Sequence, residues 1–186
     1  MEMRKKPLVM LSRIGLPVLL LAIAVACQGH FFGYQGEVAE EESRIVLLEG
    51  GPHTGTWQTG DLSLDYRYQR DQDNVQLSGT VELDKSLVRG FPVLEYLTIQ
   101  VHILDSQGQV LRSKRVLASE YRHMTKKMLF NQAVELPPGS TAMTFSYRGR
   151  ARDVGGSGRT VEDAGGGDSW DFWVYPFQKE KEEKKE

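Results

Sequence analysis

The sequence predicts an all-β domain, an antiparallel β-sandwich of about eight strands. Apolar and polar residues alternate with a period of two along several stretches, which is the pattern of strands that bury one face. Sequences typical of turns separate these stretches, and no long stretch has the spacing of an amphipathic helix. At 186 residues, with 40% apolar and 26% charged side chains, the chain fits one folded domain plus accessory segments.

The clearest alternation lies in two stretches, residues 62–69 and 75–83. In each stretch leucine, valine or tyrosine recurs at every second position, with Gly79 as the exception, and polar residues stand between them. The intervening residues 70–74 (RDQDN) have the composition of a turn. The two stretches are therefore expected to form an antiparallel hairpin with one buried face.

The other strands follow the same pattern. They are expected at residues 45–48, 97–103, 110–118, 130–136, 141–153 and 170–177. Alternation places Ile99 inside the domain and His102 on the opposite face. It also points Met143, Phe145 and Tyr147 inward.

Four segments are expected along the chain: a signal segment at 1–26, a flexible tether at 27–43, the sandwich at 44–178 and a charged, disordered tail at 179–186. The tether is rich in glycine and then acidic, and the tail balances four positive with four negative charges. Within the sandwich, residues 154–167 hold six glycines and little apolar material. They predict a long loop that is either functional or disordered.

Residues 1–26 have the three parts of a secretory signal. A basic start at residues 4–6 is followed by an apolar stretch of 13 residues, 14–26, that ends in small side chains. As a helix this stretch would cover roughly 20 Å, short of the ~30 Å hydrocarbon core of a bilayer. A cleaved export signal is therefore favoured over a permanent transmembrane helix. An uncleaved signal anchor is the alternative, because residues 7–10 could extend the span.

The signal segment ends in Ala-Val-Ala, and the next residue, Cys27, is the only cysteine in the chain. Residues 24–27 resemble the lipobox of bacterial lipoproteins, with Ala24 where that family most often has leucine. The alternative is ordinary cleavage after Ala26 beside a chance cysteine. A lone thiol in an oxidising compartment would have no partner, so lipidation of Cys27 is favoured.

The resemblance to lipoproteins implies a diacylglycerol thioether on Cys27 and usually a further acyl chain on its new amino group. Several chains on one residue give stable anchoring, where a single chain would be marginal. In the Gram-negative sorting pattern an aspartate after the cysteine favours the inner membrane. Gln28 occupies that position, so we expect the outer membrane with the domain facing the periplasm.

A second resemblance covers roughly residues 75–150. Residues 101–110 (VHILDSQGQV), followed by 136–140 (LPPGS), resemble small immunoglobulin-like envelope domains of the FxLYD kind. Their core is a strand, an Asp-x-x-Gly turn, a second strand and a Pro-Gly turn into the next hairpin. Leu104 stands where the motif has its tyrosine. The resemblance implies an immunoglobulin-like sandwich and carries no activity with it.

Charge and motif content exclude several function classes. The signal segment holds four of the 23 basic and one of the 25 acidic residues, so residues 27–186 carry a net charge of about −5. Nucleic-acid-binding domains are typically strongly basic, and we expect no nucleic-acid partner. Cys27 is needed for the anchor, and residues 155–158 (GGSG) lack the Gly-x-Ser-x-Gly spacing of serine hydrolases. The chain is therefore predicted not to be an enzyme.

No metal or cofactor is expected either. The four histidines are scattered and lack metal-ligand spacing: His30, His53, His102 and His123. The acidic turn at 71–74 lacks the twelve-residue loop of a calcium site. Residues 158–160 (GRT) do not complete a phosphate-binding loop.

Arg148, Arg150 and Arg152 alternate with small residues and should project from one side of a strand end. Three guanidinium groups on one side could bind phosphate or carboxylate, as on lipid headgroups or an acidic partner. The simpler interpretation, which we favour, is a solvated face whose arginines pair with local acids such as Asp163 and Asp168.

Aromatic residues mark the last strand, which is apolar on both sides. Trp170 shares one side with Phe172, and Trp173 shares the other with Tyr175. A side of this strand that is left uncovered would offer an exposed aromatic row that stacks on sugar or joins a partner protein, and Trp170, Trp173 and Tyr175 are the candidate contacts. Burial of one side, with the second covered by a loop or by the N-terminal segment, is the favoured alternative.

Together these observations predict a membrane-anchored envelope lipoprotein that acts as a non-catalytic accessory, scaffolding or assembly protein. Its partners would be the membrane, through lipid on Cys27, and another envelope protein, through the last strand or the Gly-rich loop. The alternative is a carbohydrate- or ligand-binding module that uses Trp170, Trp173 and Tyr175.

Intact mass spectrometry of the protein extracted from membranes with detergent tests the anchor. We expect a chain that begins at Cys27 and carries the added mass of a diacylglycerol and one further acyl chain. The Cys27→Ser variant should lose this mass and leave the membrane fraction. An unmodified N-terminus at Cys27 would refute lipidation and leave export intact.

Overall fold

The computed structural model describes residues 34–124, 127–153 and 168–178. Within these residues, nine strands form two antiparallel sheets, so the predicted all-β sandwich is confirmed, with one strand more than expected. The strands are β1 (Ile45–Val46), β2 (His53–Gln58), β3 (Leu62–Asp71), β4 (Asn74–Leu83), β5 (Val93–Leu104), β6 (Val110–His123), β7 (Met128–Glu135), β8 (Ala142–Arg152) and β9 (Ser169–Val174). A 3-10 turn (Glu41–Ser43) and a short helix, α1 (Lys85–Gly90), complete the secondary structure of the described residues.

The two sheets are called A and B here. Sheet B has the order β2-β3-β4-β7. Sheet A has the order β6-β5-β8, and both β1 and β9 pair along the remaining edge of β8, one at each end. Strand β7 returns beside β4 and β8 returns beside β5, which is a Greek-key pattern shared with immunoglobulin-like sandwiches.

The core lies between the sheets and follows the predicted alternation. Met143, Phe145 and Tyr147 are buried, as expected from their positions in β8. Opposite them in sheet B, the Phe130 ring leans over Gly79 of the neighbouring strand. A Cβ atom at Gly79 would lie 2.7 Å from that ring, so the glycine that interrupts the alternation of β4 leaves room for Phe130.

Strand β2 is absent from the sequence prediction. Its inward positions are His53, Gly55 and Trp57, which is too weak an apolar pattern to signal a strand. Its backbone pairs with β3 over six residues, and the Trp57 ring packs against Phe145, with ring centroids 5.7 Å apart. Tertiary packing, rather than local pattern, therefore specifies β2.

Two buried tyrosine hydroxyls tie the sheets together. Tyr147 in sheet A donates to Asp61 Oδ2 at 2.6 Å and contacts Thr59 Oγ1 at 3.0 Å in the turn before β3. Tyr68 in sheet B donates to the carbonyl of Val46 at 2.8 Å. Burial, and then the hydrogen bond to Asp61, raise the pKa of Tyr147, so its hydroxyl keeps the proton that it donates.

The folded domain includes residues before residue 44, where the sequence predicts that the sandwich begins. Residues 34–39, called the N-terminal segment here, fall in the range assigned to the tether, yet they pair with the chain on both sides. On one side, Val110 N donates to Glu37 O at 2.8 Å and Ala39 N donates to Gly108 O at 2.9 Å. On the other side, Gln178 N donates to Val38 O at 2.9 Å.

Several predicted segments lie outside the described residues: the signal segment, Cys27, the first part of the tether (27–33), the Gly-rich loop (154–167) and the charged tail. In the part of the chain that the structure describes, no helix has the length and apolar character needed to span a bilayer.

Replacing Tyr147 by phenylalanine removes its hydroxyl contacts with Asp61 and Thr59 and leaves the Tyr68–Val46 hydrogen bond in place. We expect the free energy of unfolding to fall by roughly 1–3 kcal/mol, because the Asp61 and Thr59 side chains lose a buried partner. Urea denaturation measures this change. Tyr66→Phe is the matched control, since burial and its neighbour Tyr68 account for the raised pKa of Tyr66 without a hydrogen bond. Equal unfolding free energies in the two variants would contradict the bridging role.

Candidate binding surfaces

The three arginines of β8 lie on the outer face of sheet A, the face turned away from the core. Two of them pair with acids that the sequence does not single out. Arg150 makes two hydrogen bonds to the Asp171 carboxylate, at 2.8 and 2.7 Å, and these bonds lower the pKa of Asp171. The Nε of Arg152 lies 3.7 Å from the carboxylate of Glu95.

Arg148 differs from its two neighbours. It is exposed, and it makes no ion pair with any described residue. Of the acids expected to neutralise the arginines, Asp163 lies outside the described residues, and Asp168 contacts the chain through its backbone, accepting from Asp153 N. The arginine stripe therefore offers one free guanidinium group within the described part of the chain.

The aromatic residues of the last strand do not form a single row. Trp170 and Trp173 are 52% and 56% exposed but lie on opposite sides of β9. Phe172, on the side of Trp170, is buried in the core, and Phe91 stacks on Trp170 with ring centroids 6.2 Å apart. A sugar ring cannot stack on both indoles at once.

Trp173 lies directly across from Arg148 in the pairing of β8 and β9, on the outer face of sheet A. Tyr175 follows at the end of the strand and is partly exposed. Its ring lies 5.9 Å from that of Tyr34 in the N-terminal segment. Burial, followed by the neighbouring Tyr175 hydroxyl, raises the pKa of Tyr34 to about 12. The N-terminal segment thus covers part of this side, while Trp173 stays exposed.

A buried histidine lies beneath the N-terminal segment. His102 projects from the outer face of sheet A, as its position in β5 requires, yet it is fully buried. Its Nδ1 contacts Ser113 Oγ at 2.7 Å and its Nε2 contacts Ser146 Oγ at 2.8 Å. The rings of Tyr34 and Phe177 cover it, each with its centroid 5.0 Å from the imidazole.

Burial lowers the pKa of His102 to about 4, so the imidazole is neutral at pH 7. A neutral ring donates through one nitrogen and accepts through the other, which matches two serine hydroxyls. Thr144 Oγ1, on the same face, is buried and has no hydrogen-bond partner among the described residues. A serine beside a histidine can act as a nucleophile, but Ser146 is buried under the aromatic cover. The Tyr34 and Phe177 rings pack over this cluster.

Sheet B carries a groove on its own outer face, opposite sheet A. The groove has a volume of about 790 Å³ and crosses all four strands. Its lining consists of Thr54, Gly55, Thr56, Asp65, Tyr66, Arg67, Ser78, Gly79, Thr80, Leu129, Phe130 and Asn131. Leu129 is 74% exposed, more than any other large apolar side chain in the described residues. Thr56 donates to the Asp65 carboxylate at 2.7 Å, which fixes one wall.

Sequence reasoning does not identify this groove. Alternation does predict that Asp65, Arg67, Ser78 and Thr80 point outward. It cannot show that these residues line a groove, because the shape of the face depends on how four strands pair and twist.

Across residues 34–124, 127–153 and 168–178, no group of three or more histidine, cysteine, aspartate or glutamate side chains is arranged to hold a metal ion. Comparison with protein-family models, with curated proteins and with solved structures finds no match to this chain.

The buried His102 predicts a specific pH dependence of stability. In the unfolded chain the pKa of histidine is near 6.5, and in the folded domain that of His102 is about 4. Between these values the unfolded chain binds a proton that the folded domain excludes. The free energy of unfolding should therefore fall as the pH drops from about 6.5 towards 4, by roughly 3 kcal/mol in total.

Urea denaturation between pH 7 and pH 5 measures this dependence. His102→Gln retains a donor and an acceptor for the two serines and should flatten the slope. His123→Gln, at an exposed position on β6, is the control and should keep the slope of the wild type. Equal slopes for wild type and His102→Gln would show that His102 does not titrate on unfolding.

Proposed function

We propose that this chain is a lipid-anchored, non-catalytic accessory protein of the bacterial envelope. In this proposal Cys27 carries the lipid, the domain faces the periplasm from the outer membrane, and the sandwich docks a partner protein. The lipobox-like residues before Cys27 support the anchor. The groove on sheet B supports the docking.

The observation that carries the docking role is an exposed apolar side chain in a shallow groove lined by polar and apolar groups. Leu129 stands at the groove with three-quarters of its side chain in contact with water. Hydroxyl and amide side chains surround it, as do the charges of Asp65 and Arg67. Protein-binding surfaces have an apolar centre and a polar rim, and Leu129 with its hydroxyl, amide and charged neighbours has this arrangement on a small scale.

The same groove carries the second candidate function, the binding of a carbohydrate or another polar ligand. Its lining is rich in groups that can bind sugar hydroxyls, among them Asn131 and the hydroxyls of Ser78 and Thr80. Sugar-binding sites usually add an aromatic platform. The two aromatic residues of the lining, Tyr66 and Phe130, lie on the core side of sheet B, where both pack against the core. This arrangement favours the protein partner.

The two candidates are separated with the full chain extracted from membranes in mild detergent. We expect a partner protein to co-purify with the wild type and to be lost at least tenfold from Leu129→Lys, because a charge replaces the apolar anchor. Val46→Lys is the matched control: Val46 is also a large, exposed apolar residue, but it lies on sheet A. This variant should retain the partner.

Equal recovery of the partner with Leu129→Lys and Val46→Lys would contradict docking in the groove. Retention of the wild type on immobilised oligosaccharides, together with loss of retention in Asn131→Ala, would favour the carbohydrate-binding alternative.

A further inference from the structure

We propose that the outer face of sheet A, around Trp173, Tyr175 and Arg148, rests on the lipid headgroups of the membrane that holds the anchor. This inference rests on the proposed lipidation of Cys27. It adds an orientation: one side of the sandwich lies against the bilayer, and the groove of sheet B faces away from it.

The length of chain between the anchor and the domain gives the first argument. The described domain begins at Tyr34, seven residues after Cys27. Seven residues reach at most about 25 Å when fully extended. The Tyr34 ring packs on the outer face of sheet A, against His102 and beside Tyr175. A lipid on Cys27 therefore keeps Tyr34, and the part of this face that it packs on, within about 25 Å of the headgroups, less than the diameter of a domain of this size.

The exposed side chains of this face give the second argument. Trp173 is more than half exposed, and Tyr175 is also exposed in part. Tryptophan and tyrosine are enriched where a protein meets the interfacial layer of a bilayer. Val46, at the other end of the same sheet edge, adds an exposed aliphatic side chain on this face, since it pairs directly with Ala142.

Charge gives the third argument. Arg148 lies directly across from Trp173, and Arg115 of β6 lies across from Gln100 on the same face. Both arginines are exposed, and neither forms an ion pair with a described residue. The two cross-strand rows that contain them include no acidic residue. These two free guanidinium groups can bind lipid phosphates, and of the two acids in the next row of this face Asp171 is already paired with Arg150, which leaves Glu120.

The test uses the lipidated full chain reconstituted into vesicles of phosphatidylethanolamine and phosphatidylglycerol with brominated acyl chains, which quench nearby tryptophan emission. We expect these vesicles to quench the tryptophan fluorescence of the wild type. Most of this quenching should be absent in the Trp173→Phe variant. Trp170→Phe is the matched control, because Trp170 has nearly the same exposure on the opposite side of β9. It should keep the quenching of the wild type. Both indoles are more than half exposed, and phenylalanine keeps an aromatic ring at each position.

Substitution of the arginine supplies an independent readout. Arg148→Glu should reduce the quenching at least twofold, while Arg67→Glu, on the outer face of sheet B, should leave it unchanged. Equal quenching in the two tryptophan variants, with the lipid present by mass and the protein floating with the vesicles, would overturn the orientation and leave the anchoring intact. Absence of the lipid mass would overturn both.

Discussion

The outer face of sheet A is covered at one end because the N-terminal segment pairs through its backbone with neighbouring parts of the chain. Residues 34–39 lie between the start of β6 and residues 176–178, and they exchange hydrogen bonds with both. Arg44 reinforces this junction: its guanidinium donates to the carbonyl of Ala39 and packs against Gly108. Gly108 has φ of +83°, and a Cβ atom there would collide with that guanidinium group. Only glycine meets both requirements.

Closure of this face changes the chemistry of the residues beneath it. His102 would be a solvated surface histidine if Tyr34 and Phe177 were removed. Under their rings it becomes a neutral, hydrogen-bonded core residue with two serine partners. A small second core therefore forms on the outer side of sheet A, built from Ala39, Leu104, Val110 and Ala142. At this end of the domain, sheet A therefore buries apolar residues on its outer side as well as on the side that faces sheet B.

The sequence predicts most of the fold because alternation is a local property. It identifies the strands whose buried faces are rich in leucine, valine and aromatic residues, such as β3, β4, β5 and β8. It misses β2, where His53 and Gly55 occupy inward positions, and it cannot foresee that His102 is buried on an outward position. Both depend on residues distant in sequence, Phe145 for β2 and Phe177 for His102.

The surfaces are harder to predict than the core, because they also depend on residues that are distant in sequence. Alternation places Arg148, Arg150 and Arg152 on one side, but only the pairing of β8 with β9 brings Asp171 to Arg150. That pairing leaves Arg148 beside Trp173 rather than beside an acid. The groove on sheet B depends on four strands at once, so no single stretch of sequence contains its signal.

The meeting of the two ends of the domain has a practical consequence for labelling and fusion. The ring of Tyr34 stacks on that of Phe177, and Gln178 bonds to Val38, so the first and last described residues leave the domain at one corner. A reporter fused after residue 178 would start at the corner where the N-terminal segment enters the domain. An insertion in the turn between β3 and β4, whose residues Gln72 and Asp73 are exposed, starts from sheet B, whereas the first and last described residues pack on the outer face of sheet A. That turn is the better position for a probe intended to leave both termini undisturbed.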